Sequence, residues 1–368
     1  MRIAYMLTSL GIGGAERQVT ALAERMAQRG HDVVLVVLRS RGEHEFQTGV
    51  KVLRLETTKS PLGVAWGLLR GERLLRDFAP DLVHSHTFPA NMTARILHLT
   101  GAAPAVLSTI HNICEGGYQR TLAYRLTDAL SVHTAAVSRA VADRYVQIGA
   151  VPENKCSVIS NGIDVERFDP ARAQALRDDR LRRGPGEFIW LAAGRNVPAK
   201  DFNNLLAAFK LVCAEEPGVY LCIAGEHAAI DRQCVDASRV RWLGLCDDMP
   251  AIMLASDAFV LSSAWEGMPL VVGEAMAMEK PVVATGVGGI RELVGDTGVV
   301  VPPKDSQELA GAMLRVMRMP EAQRRQMGSA ARERIVKRFA ISDKVREWEA
   351  LYSELLSEVP PKAASHVW

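Results

Sequence analysis

Ser262-Ser263-Ala264-Trp265-Glu266-Gly267-Met268-Pro269-Leu270-Val271-Val272-Gly273-Glu274-Ala275-Met276-Ala277 follows a short apolar run, residues 258–261, and reads as the end of a strand, a tight loop and a helix. Two glutamates stand eight positions apart. The first lies on the Gly/Pro loop, and the second lies one turn inside a helix that Pro269 is expected to open. Proline suits a helix start because no N–H is needed there. Strand, loop and helix together leave unsatisfied backbone amides at the helix N-terminus, where the dipole favours an anion. A carboxylate one turn further in can accept hydrogen bonds from a diol. Diphosphate plus ribose is the ligand this arrangement suits.

The neighbouring segments extend the pattern. Lys280-Pro281-Val282-Val283-Ala284-Thr285 reads as the next parallel strand and runs into Gly286-Val287-Gly288-Gly289-Ile290-Arg291-Glu292. Upstream, Ala193-Gly194-Arg195-Asn196-Val197-Pro198-Ala199-Lys200 joins a strand to a helix. There Arg195 and Lys200 can converge on one anionic group, the first as a planar fork of donors and the second as a point charge. Near the start of the chain, Gly11-Ile12-Gly13-Gly14-Ala15-Glu16-Arg17 is a glycine turn that permits close backbone approach. It lacks the G-x-G-x-x-G spacing, and no acidic residue clearly closes the second strand, which counts against dinucleotide binding. His84-Ser85-His86 ends one strand and His111 the next. Residues 84 and 86 share a strand face and could chelate a metal, but no third ligand has an evident place. No D-x-D triplet occurs.

Short apolar runs alternate with amphipathic stretches along the whole chain. Strands are expected at residues 3–7, 33–38, 50–55, 82–84, 105–110 and 132–137, and again at 188–193, 219–224, 240–243, 258–261, 282–284 and 299–301. Helices such as 15–29, 65–78, 91–100 and 139–148 lie between them, the last capped by Ser138. Strands without polar alternation are buried on both faces, which implies parallel α/β winding. A length of 368 residues suggests two domains. The net charge of +2 gives no case for nucleic acid. Residues 1–160 hold 18 Lys+Arg against 13 Asp+Glu, and the rest hold 26 against 29, so the halves are about +5 and −3. Six irregularly spaced cysteines read as reduced, mostly buried thiols. No apolar run approaches the length of a transmembrane helix.

On these motifs the sequence resembles the family-4 glycosyltransferases, retaining enzymes of the α/β GT-B fold with two Rossmann-like domains facing across a cleft. The resemblance implies an acceptor-binding domain at 1–165, a linker at 166–186 and a donor-binding domain at 187–341. It also implies a helix at 342–358 packing back on the first domain, before a frayed tail at 359–368. It makes Arg195, Lys200, Glu266 and His111 the catalytic residues. Arg195 and Lys200 would neutralise the donor diphosphate, Glu266 would reach the sugar, and His111 would stand beside it. Glu274 would hold the ribose diol. Gly13, Gly14 and Gly194 would approach the donor, and Gly267, Met268, Pro269, Leu270 and Val271 would lend backbone amides. Asn161 and Gly162 would serve the hinge. The chain departs from the family at Pro269, where glycine is common, and at His227 after Glu226, where a small residue is common.

The activity implied is metal-independent, retaining hexosyl transfer without a cofactor, from a nucleotide-diphosphate sugar to a glycan or polyprenol-linked acceptor. Bacterial surface polysaccharide or lipopolysaccharide assembly is the expected setting, in the cytoplasm or peripherally on the inner face of the cell membrane. Two other readings stay open: a nucleotide-sugar epimerase of GT-B architecture, and a non-catalytic nucleotide-sugar-binding module. Trp66, Leu68, Leu69, Leu74 and Leu75 alternate with Arg70, Arg73 and Arg76. An anionic membrane surface is one partner for such a helix, with the aromatic and basic segment 118–125 in support. The preferred reading puts its apolar side in the core and its arginines in water.

Overall fold

A computed structural model describes residues 1–11, 13–40, 47–173, 184, 186–225 and 238–358. Ile12, most of the expected linker, Glu226, His227, Cys234 and the expected tail at 359–368 lie outside the described residues.

The first half winds β1 (Arg2–Leu7), α1 (Gly14–Gln28), β2 (Asp32–Val37), β3 (Lys51–Arg54), α2 (Pro61–Phe78) and β4 (Leu82–His86). It continues through α3 (Phe88–Leu99), β5 (Val106–Ile110), α4 (Tyr118–Leu126), β6 (His133–Ala136), α5 (Arg139–Gln147) and β7 (Cys156–Val158). After the short α6 (Pro170–Ala173), the second half runs β8 (Phe188–Ala193), α7 (Phe202–Glu215), β9 (Val219–Ala224), β10 (Val240–Gly244), α8 (Met249–Ala255) and β11 (Ala258–Leu261). Then come α9 (Leu270–Ala277), β12 (Val282–Thr285), α10 (Ile290–Val294), β13 (Val299–Val301), α11 (Ser306–Arg318), α12 (Glu321–Arg338) and α13 (Ile341–Glu358).

Two parallel sheets result, seven strands in the order β3-β2-β1-β4-β5-β6-β7 and six in the order β10-β9-β8-β11-β12-β13. Strand order reverses between β1 and β4 and again between β8 and β11, and ligand crevices form beside the carboxyl ends of strands at such points. Helices cover both faces, so strands such as β1 and β4 are buried almost throughout.

The last helix returns to the first sheet. Ile341, Val345, Trp348, Tyr352 and Leu355 recur at helical spacing and share one cluster with Ile3, Tyr5, Leu22 and Met26. The Tyr352 hydroxyl lies 3.0 Å from that of Tyr5 and 2.6 Å from His84 Nδ1. Where the chain turns toward this helix, the Ile163 N–H donates to Phe339 O at 2.7 Å and the Ile341 N–H to Ile163 O at 2.9 Å.

Several expectations are corrected. Strand β7 and helix α8 were not anticipated; three partly buried residues and a seven-residue segment are too short to show a period. Pro269 stands at the N-cap of α9 rather than as its first residue. Among the described cysteines only Cys222 is buried, while Cys114 is exposed and the others are intermediate. Helix α2 begins at Pro61 behind Ser60, whose Oγ accepts from the Gly63 N–H. Its buried residues are Gly67, Gly71 and Leu75, with Leu68 and Leu74 partly buried, whereas Trp66 and Leu69 face outward. Its apolar residues therefore do not all enter the core.

Candidate active site

Three loops leave the carboxyl ends of β8, β11 and β12 and are tied to one another. Ser262 Oγ donates to Lys200 O at 2.9 Å, the Ala264 N–H to Ala199 O at 2.8 Å, and Thr285 Oγ1 to Ser263 O at 2.6 Å. These bonds fix where Lys200 and Glu266 emerge. Lys200 Nζ sits 2.6 Å from Glu266 Oε1, which also accepts from Ser263 Oγ at 2.7 Å. Arg195 is exposed on the same turn and has no ion-pair partner among the described residues. The structure thus joins Lys200 to Glu266 and leaves Arg195 facing solvent nearby.

Glu274 is 5% exposed. Burial raises its carboxyl above the usual range, against the opposing pull of Arg17 and Arg167. Arg17, from the first turn of α1, reaches it at 3.2 Å. Helix α1 starts at Gly14 behind an extended Gly13, and α9 starts at Leu270 behind Pro269; neither N-terminus has a side-chain cap. Two helix N-termini, neither with a side-chain bond from its N-cap residue, therefore lie on the two sides of the Arg17–Glu274 contact. Pro269 has no amide hydrogen to contribute.

The first domain meets the second along one seam. Asn112 forms an antiparallel bridge with Gly267, and the Ile113 N–H points to Glu266 O at 3.4 Å. A Cβ at Gly267 would overlap the His111 carbonyl, so only glycine permits this approach. Gly267 O accepts from the Gly289 N–H at 2.6 Å and Ser138 Oγ at 3.4 Å, and Met268 O from Asn161 Nδ2 at 2.8 Å. Glu292, the acid of the second glycine motif, accepts from the Arg139 N–H at 3.1 Å and Ser160 Oγ at 3.4 Å. That motif clamps the domains together.

His111 lies at this seam, and burial pushes its pKa down to about 4. Its Nε2 is 3.0 Å from Nδ1 of His86, itself held well below the ordinary histidine range by burial. Both nitrogens of His84 are engaged, by Tyr352 at 2.6 Å and by Thr109 Oγ1 at 2.7 Å. Among the described residues, no three His, Cys, Asp or Glu side chains cluster as a metal site. Sequence reasoning does not single out Arg17 or Ser263 as site residues, and it weighs His86 only as half of a metal pair with His84, whereas His86 partners His111. Their signal was position alone: first helical turn, loop before Glu266, and strand end beside His111.

The family model "Glycosyltransferase Family 4" matches residues 12–167, and "Glycosyl transferases group 1" matches residues 187–319. Glycogen synthase of Mycobacterium tuberculosis is 29% identical over 389 residues, spanning 92% of this chain and 90% of its own. The Escherichia coli UDP-Gal:alpha-D-GlcNAc-diphosphoundecaprenol alpha-1,3-galactosyltransferase is 26% identical, over 77% of this chain and 78% of its own. The structure of Anabaena HepE in complex with UDP-glucose superposes with a TM-score of 0.78 at 22% identity, covering 96% of this chain and 100% of that one. Matched in both halves and built as two parallel α/β units that meet at a seam, the chain belongs to the family-4 glycosyltransferases of the GT-B fold.

Proposed function

We propose that the protein transfers a sugar, with retention and without a metal ion, from a nucleotide-diphosphate donor to a glycan or lipid-linked acceptor. Bacterial surface polysaccharide assembly is the setting, on a membrane surface in the lipid-linked case. The observation that carries this reading is the Lys200–Glu266 pair at 2.6 Å, set among loops at the carboxyl ends of the strands. Arg195 and Lys200 take the diphosphate, helped by the uncapped starts of α1 and α9 beside Gly13, Gly14, Gly194 and the 267–271 segment. These groups do for the leaving phosphate what a divalent cation does elsewhere. Glu274 holds the ribose diol once Arg17 gives way, and His111 and Glu266 address the sugar.

As the bond between sugar C1 and the β-phosphate oxygen breaks, negative charge grows on that oxygen, where fixed cations stabilise the transition state. Glu266 Oε1 is held by Lys200 and Ser263, which favours a hydrogen-bonding role over that of a free nucleophile. The departing phosphate oxygen then takes the proton of the acceptor hydroxyl whose oxygen bonds to C1.

Calorimetric titration against a panel of nucleotide sugars identifies the donor, and NMR of the product's anomeric proton reads retention. Turnover should persist in a strong chelator. An inverted product, or activity lost to chelator and restored by magnesium or manganese, would reject this reading.

A further inference from the structure

We propose that the outer faces of α2 and α4 form a docking surface for an anionic lipid bilayer. This deepens the proposed transfer to a lipid-linked acceptor by naming the face that would meet the membrane, and its binding test does not depend on that reading.

Helix α2 is apolar on both sides. Its inner side approaches the sheet through two glycines before Leu75 enters the core: a Cβ at Gly67 would overlap the Thr57 side chain, and one at Gly71 would crowd Leu55 and Leu97 at 3.2 Å. Along the first turns the large side chains therefore point outward: Leu62 is 77% exposed, Trp66 72% and Leu69 60%. These three share a stripe with Arg73 and Arg76, the first half apolar and the second basic. Helix α3 packs against both α2 and α4 and adds the exposed Ile96 and Leu99, and α4 repeats the pattern with Tyr118, Leu122, Arg125 and Leu126. An indole held in water next to arginines on a folded surface is an interaction site rather than a packing residue.

The charges select the partner. Helix α2 carries Arg70, Arg73 and Arg76 against Glu72 and Asp77, and Glu72 is taken by Arg76 at 2.9 Å. Helix α4 carries Arg120 and Arg125 and no acid. Basic side chains beside Trp, Tyr and Leu match a headgroup layer over acyl chains, where arginine stems lie along apolar surface and indole and phenol rings sit at the interface. A second copy docked on this face by two-fold symmetry would set arginine against arginine.

The placement also fits. Both helices start at the carboxyl ends of their sheet's strands, the side on which the seam lies, and Tyr118 opens α4 within the loop that begins at His111. A bilayer on this face would run alongside the cleft.

The test uses the full chain with phosphatidylcholine vesicles, with and without about a third phosphatidylglycerol. Sedimentation should show binding only to the anionic vesicles, lost near 1 M salt, where the Debye length is roughly 3 Å. Trp66→Ser with Leu69→Ser should weaken partitioning at least about tenfold, and Arg70→Gln with Arg73→Gln should lose most of the preference for anionic lipid. Melting temperature and nucleotide-sugar binding should not change in either variant, because all four side chains are exposed. Wild-type protein that stays in the supernatant, or a Trp66/Leu69 variant that binds vesicles equally, would overturn the proposal. So would a dimer in sedimentation velocity that the same variant abolishes. Each of those results would leave calorimetric donor binding as it was, so the proposed function would stand or fall separately.

Discussion

Arg17 and Glu274 meet across the two domains at 3.2 Å, and the carboxylate is almost fully enclosed. In the proposed donor complex, a ribose on Glu274 would exchange one charged partner for two hydroxyls and would release a guanidinium beside the phosphates.

Glu274→Gln should lower affinity for the free nucleoside diphosphate and for the full donor alike, by roughly ten- to a hundredfold, because a charge-assisted bond is worth about 1.5–3 kcal/mol. Glu266→Gln should spare nucleoside diphosphate binding and impair transfer. Calorimetry of both variants separates the roles, and equal losses for the diphosphate would show the division to be wrong.

Arg195→Ala and Lys200→Ala should each cost about 3 kcal/mol at the transition state, a hundredfold or more in kcat. Their stabilities should differ. Arg195 is exposed and without an ion-pair partner among the described residues, so its removal should barely move the melting temperature. Removing Lys200 strands Glu266, which is 8% exposed, and should lower the melting temperature by several degrees. Differential scanning fluorimetry checks the order.

Gly267→Ala places a methyl group against the His111 carbonyl and should part the seam. Turnover should fall by two orders of magnitude or more, since a displacement of about 1 Å can cost a hundredfold. Small-angle scattering should show a more open molecule. A variant with wild-type kcat would mean that the seam is not closed during catalysis.

The buried groups around His111 give opposite pH signatures. Unfolded histidine titrates near 6.5 and native His111 near 4, so between those values the unfolded chain binds more protons and stability rises with pH. Burial pushes Glu115 up to about 7, from 4.5 when exposed, so between those values the native chain keeps a proton that the unfolded chain loses, and stability falls with pH. Glu115→Gln removes only the second contribution. In urea unfolding, wild type should therefore lose stability relative to Glu115→Gln on going from about pH 5 to pH 8. A constant gap between the two would show that Glu115 is ionised throughout.

The loop from Glu266 to Glu274 was legible because the elements that make the site, a strand end, a glycine turn and a helix start, are contiguous there. The parallel winding was legible because apolar runs alternate with amphipathic stretches along the chain, whereas the strand orders are seen only in the folded sheets. Arg17 stands beside its glycine turn in the sequence, but its partner lies in the other half of the chain and only the folded pair shows the contact. Glu292 was visible as part of a motif, yet its bonds to Arg139 and Ser160 cross between domains. Helix α2 shows a different limit. Its apolar period was plain, and the preferred reading assumed that large residues face inward. At Gly67 and Gly71 the inner surface has no room for a side chain, so Trp66 and Leu69 face outward while Leu75 alone of the large residues is fully buried.

The return of α13 to β1 and α1 has a consequence for how the protein is made. The core that includes Ile3, Tyr5 and Leu22 also includes Trp348, Tyr352 and Leu355. A ribosome must therefore synthesise both domains before β1 receives its last covering. Until then the emerging amino-terminal half exposes the apolar surface that α13 covers in the finished fold, which favours aggregation the longer completion takes.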